Sequence, residues 1–527
     1  MSNPILTFIR RIDQSAPLVW VILLLIILFL RFGLWDVMGY RPQGVHHWRQ
    51  SDCASIALNY SRNGMCFLQP EIHGLIADAF QSGHVISELP IIPYTAGSLY
   101  LLFGFDEALY RGLVFALYAI GLIYLFLLAR LWLKDSYWSA LLPILLITSP
   151  VQLYYSMNFL SDPVALAMLF PGWYYGSRAL QRRRNSDLIL SLVFLTIAAL
   201  LKVTAGISLV VFFILMARAW WIQFRKDGKA WVRAYFLPLI SLLLSFGLII
   251  AWYTYVIRFN QEHSVYYFGT RPMPIWALER DQVTAVWEGI RNTWKKEYFH
   301  PFILNILPLV LVVALLWMRD NALRIALGLV ALGSLAFILL WFEALKDHDY
   351  YVISLYLLPS LAFMGALLVL KDRFPAWFHN IWLKIAIIPL VIVLINHASL
   401  KMEGRYHGWG SSQVTYGSFM DVSGWLEENG ISEDERLICL GDYTSCYSLY
   451  LMDRKGWTDF ALEHRMQQGV QQAIQNGASY LVQINTIVEL PSWIMPYTGD
   501  LIGSREGFRV YRLRIPSDID DPATGFK

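Results

Sequence analysis

Long apolar runs recur along this chain and limit its possible folds more than any other feature of the sequence. A run of about 18 or more apolar residues is long enough to cross a bilayer as a helix, and we count about eleven candidate spans. They lie near residues 17–36, 108–131, 137–157, 163–180, 187–201, 203–222, 235–256, 302–318, 323–342, 352–370 and 381–398. The sequence therefore predicts an all-α polytopic membrane domain.

Composition and charge agree with this interpretation. Of 527 residues, 57% are hydrophobic and only 15% are charged, and the mean hydropathy is +0.46. The formal net charge of +3 is too small to indicate a nucleic-acid partner. Membrane lipids are the expected surroundings.

The basic residues of the short loops predict the orientation. They fall beside alternate ends of the spans, on what would be one side of the membrane: Arg10, Arg11, Lys134, Arg182, Arg183, Arg184, Arg225, Lys226, Lys229, Arg233, Arg319, Arg324, Lys371 and Arg373. Because positive loops stay in the cytoplasm, we expect the N-terminus inside and the C-terminus outside.

This orientation divides the chain into two predicted domains. Residues 1–399 form the transmembrane domain with outer loops 37–107 and 257–301, and residues 400–527 form an outer domain. In the first loop, the apolar spacing within Ser51–Arg62 predicts an amphipathic helix on the membrane surface. In the second, "VTAVWEGIRNTW" predicts a similar helix.

The C-terminal segment has the composition of a small α/β domain. "ERLICLGD", "SYLVQIN" and "FRVYRLRI" have strand patterns, and "HRMQQGVQQAIQNGA" has that of a helix ending at a glycine.

All four cysteines fall on the expected outer side, which suits an oxidising compartment. Cys53 with Cys66 and Cys439 with Cys446 are candidate disulfides, and four free thiols are the alternative. The C-x6-C spacing of the second pair has no matching His or Cys pair nearby, which argues against a metal site there.

Ionisable side chains concentrate at the predicted outer ends of the spans. A charged side chain is costly to hold near lipid, so such a residue usually has a function. "HHWRQSD" supplies His46, His47, Arg49 and Asp52, and Glu88 follows in the same loop. Ordinary roles compete with function here, since an acid beside a helix start can act as a cap and a cation can reach the headgroups.

Three further positions have the same character. Asp162 precedes Pro163 at the predicted start of the fourth span, where helix capping is the alternative function. Lys202 lies between the fifth and sixth spans, and "HDYY" at the tenth span supplies His348, Tyr350 and Tyr351. An aromatic belt or an anchored helix end would explain these equally simply.

Acids and cations at the outer interface suit a transferase better than a transporter or a pore. A transporter would place its charges near the midplane in broken helices, and a pore would line its spans with polar stripes. A sugar bonded to a lipid phosphate has a good leaving group, so cations for the phosphate and one base for the acceptor hydroxyl would suffice.

Five motifs in order add a resemblance to the GT-C glycosyltransferase superfamily. The chain resembles the family-39-like group, which is related to protein O-mannosyltransferases and the lipid A aminoarabinose transferase. The motifs are "HHWRQSD" with "IALNYSRNG", "ELPIIPYTAGSLYLLFG", "LSDPVALAM", "LLKVTAG", and "HDYYVISLYLLPSLAFMGA", followed by "LYLMDRKGW" in the C-terminal segment.

The resemblance implies an inverting transfer from a polyprenyl-phosphate sugar outside a bacterial inner membrane, to a glycan, lipid or protein acceptor in the cell envelope. By this resemblance Asp52 is the candidate general base. Asp162 would orient the acceptor or the sugar, Lys202 would bind the donor phosphate, and Glu88 would contact substrate or metal.

The chain departs from its relatives at one motif. Aminoarabinose transferases have "EKPP" where this chain has Glu88-Leu89-Pro90-Ile91, so a lysine is missing and Arg49 is the candidate replacement. Some relatives need a divalent cation and others do not, so metal dependence stays open. A transporter or flippase of lipid-linked sugars is the alternative function.

Overall fold

The computed structural model describes residues 17–182, 184–227, 230–265, 272–407, 419–462, 466–484 and 489–514. Arg10, Arg11, Arg183 and Lys229, which entered the orientation argument, lie outside these residues. The chain divides into two compact units. The first unit comprises Met1–Met38, Arg111–Thr254 and Thr270–Glu403, and the second comprises Gly39–Tyr110, Tyr255–Gly269 and Gly404–Lys527.

Helices account for most of the described chain. They are α1 Pro17–Arg31, α2 His47–Arg62, α3 Ile91–Phe103, α4 Glu107–Leu133, α5 Ser136–Ile147, α6 Pro150–Ser156, α7 Asp162–Arg182, α8 Asn185–Leu201, α9 Gly206–Asp227, α10 Ala230–Glu262, α11 Arg280–Gly289, α12 Lys295–Tyr298, α13 Pro301–Trp317, α14 Asn321–Leu340, α15 Leu357–Arg373, α16 Pro375–Phe378, α17 Ile381–His407, α18 Ser423–Glu428, α19 Tyr447–Met452, α20 Asp459–Leu462 and α21 Met466–Gln475. Short 3₁₀ segments include Val203–Ala205 and Asp349–Tyr356, and a π turn covers Ile290–Trp294.

Each predicted span coincides with a helix or a pair of helices. Within the described residues, six helices are long and apolar enough to cross a membrane, or up to eight if each bent pair is one span. The bent pairs are α5 with α6 at 78° and the Arg280–Tyr298 segment with α13 at 93°. The apolar helices α1 and α8 are shorter. The all-α membrane architecture is therefore confirmed.

Small residues let helices of the first unit approach closely. This is common in membranes, where the hydrophobic effect contributes little to helix association and van der Waals packing matters more. A Cβ built on Gly121 in α4 would lie 2.6 Å from both Cα and Cβ of Ala167 in α7. A Cβ on Gly172 of α7 would lie 2.5 Å from Leu195 of α8. These contacts fix α7 between its neighbours and so place its first residue, Asp162.

The second unit contains a five-stranded mixed sheet. Its strands are β1 Arg436–Leu440, β2 Gly456–Thr458, β3 Ala478–Ile484, β4 Thr498–Arg505 and β5 Phe508–Leu513. The order is β2-β1-β3-β5-β4; β1 runs parallel to β2 and β3, whereas β5 runs antiparallel to β3 and β4. The predicted α/β character of this segment is confirmed.

The first outer loop packs with this sheet in the same unit. Leu75 donates its N–H to the Gly456 carbonyl at 2.7 Å, and Gly456 donates to the His73 carbonyl at 3.1 Å. Leu75 and Phe80 share a buried core with Trp457 of β2. Loop and sheet therefore form one hydrophobic core.

The sequence correctly predicted a helix at Ser51–Arg62, but the prediction that this helix lies on the membrane surface was wrong. The helix is present as α2, but residues 49 to 60 are all buried. It packs against α3, where a Cβ on Gly97 would lie 2.7 Å from the Ala57 carbonyl oxygen. The apolar spacing was real, but tertiary packing covers the polar face as well.

The candidate disulfides are also wrong in this structure. None of the four cysteines, all of them described residues, forms a disulfide: Cys53, Cys439 and Cys446 are buried and Cys66 is exposed. The second predicted loop helix is present as α11 with its π turn.

Candidate functional site

The carboxylate of Asp52 is fully buried in the second unit and is held by three side chains. Ser445 donates its hydroxyl to Asp52 Oδ1 at 2.5 Å, and the Cys446 thiol donates to the same oxygen at 3.6 Å. Oδ2 lies 3.6 Å from the Arg49 guanidinium. Burial raises the pKa of the Cys446 thiol, so it stays protonated and able to donate.

Arg49 connects Asp52 to Glu88. Its NH2 group donates to both carboxylate oxygens of Glu88, at 3.0 and 2.8 Å. Ser87 also donates to Glu88, at 3.0 Å. The spacing of Arg49 and Asp52 on α2 places both on one face of a helix turn, and the loop before α3 supplies Glu88. The structure therefore brings together three residues predicted from sequence.

The two histidines of the opening motif lie at the start of α2. His46 adopts a left-handed conformation with φ of 53°, and its ring makes an edge contact with Trp48 at 6.1 Å. His47 Nδ1 lies 3.3 Å from the Gly44 carbonyl, and its ring packs 4.4 Å from Tyr447. Burial lowers the pKa of His47 to about 4, so this imidazole is neutral at neutral pH.

The first unit contains a second cluster, built on an ion pair. Lys202 Nζ lies 2.8 Å from Asp162 Oδ1, and both side chains are largely buried. Asp162 is the first residue of α7, and Lys202 is the extended residue that separates α8 from the 3₁₀ turn Val203–Ala205. The capping explanation for Asp162 does not account for this pair, because the partner comes from another helix end.

Aromatic rings surround the Lys202 ammonium. It lies 5.6 Å from the ring centre of Tyr350 and 5.3 Å from that of Tyr351, within the range of cation–π attraction. His348 stacks on Tyr351 at 5.1 Å. The "HDYY" residues and Lys202, chosen separately from the sequence, therefore form one cluster.

Some contributing residues were missed from the sequence. Ser445 and Cys446 fall within a stretch that carries no motif of its own, and nothing in the sequence links them to Asp52. Asp349 is fully buried and accepts a 2.7 Å hydrogen bond from Tyr155. Unlike Ser445 and Cys446, Asp349 was indicated by the sequence, because it lies inside the "HDYY" motif at the predicted outer end of the tenth span.

Among the described residues, one group of His and carboxylate side chains has the spacing to hold a metal ion. It consists of Asp78, His84 and His263. Glu88, the carboxylate that the resemblance associated with metal or substrate, is bound to Arg49 and does not belong to this group.

Chemically, the two clusters differ. The Asp52 cluster has a desolvated carboxylate whose oxygens are fixed by donors, which is the arrangement of an oriented base. The Lys202 cluster has a cation among aromatic faces, which suits an anionic or sugar-bearing ligand.

Comparisons with known proteins agree with this architecture. Residues 87–246 match the family described as dolichyl-phosphate-mannose-protein mannosyltransferase. No curated protein matches the sequence.

Solved structures match over nearly the whole chain. The crystal structure of ArnT from Cupriavidus metallidurans bound to undecaprenyl phosphate is 13% identical, covers 94% of this chain and 98% of its own, and has a TM-score of 0.57. The Archaeoglobus fulgidus oligosaccharyltransferase is 14% identical over 97% of this chain and 76% of its own, with a TM-score of 0.55. The arabinofuranosyltransferase AftD from Mycobacteria is 14% identical, covers 94% and 40%, and has a TM-score of 0.51.

Identities this low establish a shared fold, and the family match to residues 87–246 adds sequence evidence in the part that contains Glu88, Asp162 and Lys202. Together with the apolar helices, they describe a multi-pass membrane protein with the fold of these glycosyltransferases, in which residues 87–246 match the mannosyltransferase family model.

Proposed function

We propose that this enzyme transfers a sugar from a polyprenyl-phosphate donor to an acceptor hydroxyl, with inversion, on the outer face of a bacterial cytoplasmic membrane. The crystal structure of ArnT from Cupriavidus metallidurans is of the enzyme bound to undecaprenyl phosphate, which supports a lipid phosphate of this class as the carrier here. The acceptor is a glycan, lipid or protein of the cell envelope.

The observation that carries the proposal is the environment of Asp52. A general base must present one oxygen to the acceptor hydroxyl at hydrogen-bond distance. Oδ1 accepts from Ser445 and Cys446, and Oδ2 lies 3.6 Å from the Arg49 guanidinium. We assign this oriented carboxylate as the base that accepts the proton.

We assign the donor phosphate to Lys202 in preference to Arg49. Arg49 faces two carboxylates, Asp52 and Glu88, and these three side chains together have a net negative charge. Lys202 pairs with Asp162, so that the charges of this pair balance, and it has aromatic rings beside it. We propose that an incoming phosphate meets less repulsion at this pair than beside Asp52 and Glu88, and that Arg49 orients these two acids.

The remaining residues have positioning roles in this proposal. Asp162 orients Lys202 and a sugar or acceptor hydroxyl, and Tyr350, Tyr351 and His348 provide the apolar and polar faces against which a sugar ring can stack. His46 and His47 hold the start of α2, since His47 is neutral and packed on Tyr447.

The test replaces Asp52 with Asn, which keeps the hydrogen bond from Ser445 and removes only the basic oxygen. Cell-envelope glycans are analysed by mass spectrometry in cells that lack the gene and are complemented with wild type, Asp52→Asn or Asp106→Asn. Asp106 is an exposed aspartate of the same loop and is the matched control.

Losing a general base lowers the rate by about 10²- to 10⁴-fold. Wild type and Asp106→Asn should therefore add the glycan, and Asp52→Asn should not, when the three proteins are present in the membrane at equal levels. An active Asp52→Asn enzyme would reject the base assignment and direct attention to the more exposed Glu88. A flippase would give movement of the lipid-linked sugar without a new glycosidic bond in a purified assay, which would reject the transferase proposal altogether.

A further inference from the structure

Three potential metal ligands converge in the second unit, and none of them is among the residues assigned above. Asp78 and His84 belong to the first outer loop, and His263 follows the last residue of α10. One ligand atom from each lies within 4.8 Å of the other two. His263 Nδ1 is 2.9 Å from both oxygens of Asp78.

The backbone holds Asp78 in place at a conformational cost. Asp78, Ala79 and Phe80 are consecutive non-glycine residues with φ of 50°, 55° and 70°, a left-handed conformation that such residues adopt rarely. The Asp78 N–H donates to the His263 carbonyl at 3.0 Å. Backbone and side chain therefore both direct Asp78 toward His263.

His84 adds the observation that points to a ligand. Its Nδ1 is buried and has no hydrogen-bond partner among the residues that the structure describes, which is uncommon for a buried polar atom. Its Nε2 faces Glu71 Oε1 at 3.6 Å, and Lys455 fixes the other oxygen of Glu71 at 2.8 Å. A metal-bound histidine usually presents its second nitrogen to a carboxylate in this way.

We propose that Asp78, His84 and His263 bind a zinc ion. Two imidazoles and one carboxylate match the ligand preferences of Zn²⁺, with water as a fourth ligand. Ligand atoms around a tetrahedral zinc lie roughly 3.3 Å apart. The ligand atoms lie within 4.8 Å of one another, so the widest separation must close by up to about 1.5 Å, and the 2.9 Å separation of His263 and Asp78 must open slightly. Binding through His263 Nδ1 uses the neutral tautomer that carries its proton on Nε2.

The site would fasten the outer loop to the chain just after α10. Its residues are separate from Asp52, Lys202 and their partners, so zinc at this position is structural and its test does not depend on the transferase proposal. Glu88 takes no part in it.

The experiment uses the full chain purified in detergent, stripped with a chelator and then dialysed against zinc at a fixed low concentration. Zinc per chain is measured by plasma mass spectrometry for wild type, His84→Ala, His263→Gln and the control His379→Ala, an exposed histidine outside the cluster. We expect about one zinc per chain in wild type and the control, and none above background in the other two.

Cobalt gives an independent measurement. Co²⁺ added to the stripped wild type should produce the visible absorption of a tetrahedral complex, and zinc should remove it. Wild type without stoichiometric zinc, or equal zinc in all four proteins, would overturn the proposal and leave Asp78 and His263 as a simple ion pair. If His84→Ala is poorly folded, His263→Gln decides, because glutamine retains a donor to Asp78.

Discussion

Asp453 offers a test of how strongly one half-buried ion pair stabilises the second unit. It follows α19 within "LYLMDRKGW" and makes two 2.6 Å hydrogen bonds with Arg62 of α2. His73 Nε2 lies 3.5 Å away, at the limit of a useful contact. Asn is a good replacement for Asp453, because φ is 55° here and Asn tolerates the left-handed region.

The pKa shift of Asp453 sets the size of its contribution to the free energy of unfolding. Burial alone would raise the pKa of the Asp453 carboxyl, but hydrogen bonds and charge from His73 and Arg62 lower it from 3.8 to about 2. One pKa unit corresponds to about 1.4 kcal/mol, so the ionised carboxylate contributes roughly 2 kcal/mol. Solvent screens the pair in part, because the Arg62 side chain is 40% exposed although that of Asp453 is 16% exposed, so roughly 2 kcal/mol is an upper bound.

The sign of the pH dependence follows from the depressed pKa. The contribution is complete above the unfolded value of 3.8 and is lost as the pH falls from there toward 2. A loss of about 2 kcal/mol lowers Tm by roughly 4–8 °C for a unit of this size. Asp453→Asn should therefore melt lower than wild type by this amount at pH 7 and pH 5, and the gap should narrow below pH 4.

Thermal unfolding in detergent, followed by tryptophan fluorescence, measures this gap. Asp434→Asn, an exposed aspartate of the same unit, should change Tm by no more than surface substitutions usually do, about 0.5 kcal/mol. Arg62→Gln combined with Asp453→Asn should cost little more than Asp453→Asn alone. Equal Tm values for wild type and Asp453→Asn at pH 7, or a gap that persists undiminished at pH 2, would refute the reasoning.

Two further outcomes follow from contacts in the first unit. Lys202→Gln removes the cation beside Asp162 and should lower kcat/KM in the glycan-transfer assay by about 10- to 150-fold, the worth of a charged hydrogen bond; unchanged transfer would exclude Lys202 from donor binding. Gly121→Ala would place a Cβ 2.6 Å from Ala167 and should cost about 1–3 kcal/mol of stability, seen as a lower Tm. Gly247→Ala, with nothing within 4 Å of the added Cβ, is its matched control and should leave Tm unchanged.

Several details were predictable because they depend on local pattern. The strands near Arg436 and Phe508 were found from alternating and β-branched residues, and the spans from run length, which the bilayer thickness dictates. The strands at Gly456–Thr458 and Thr498–Arg505 were not found. The first is only three residues long and is paired through Gly456, so it has too few residues to show a period.

Other features could not be predicted because they depend on distant neighbours. The pattern of α2 correctly indicated a helix, but its burial depends on packing in the second unit, which covers residues that are polar in sequence. Cys446 was a candidate disulfide partner of Cys439. In the structure its thiol instead donates to Asp52 Oδ1 at 3.6 Å. Spacing in sequence contains no information on such a distance.

The sequence by itself determined that this chain is a membrane-spanning helical protein with a small α/β segment, and it named Arg49, Asp52, Glu88, Asp162 and Lys202 as residues of interest. These conclusions rest on bilayer length, strand periodicity and the cost of charge near lipid, all of which act locally. Only the tertiary structure decided which of these residues are partners. Ion pairs such as Lys202 with Asp162, and the Ser445 hydrogen bond to Asp52, join positions far apart in the chain, and such pairs exist only once packing brings their helices and loops together.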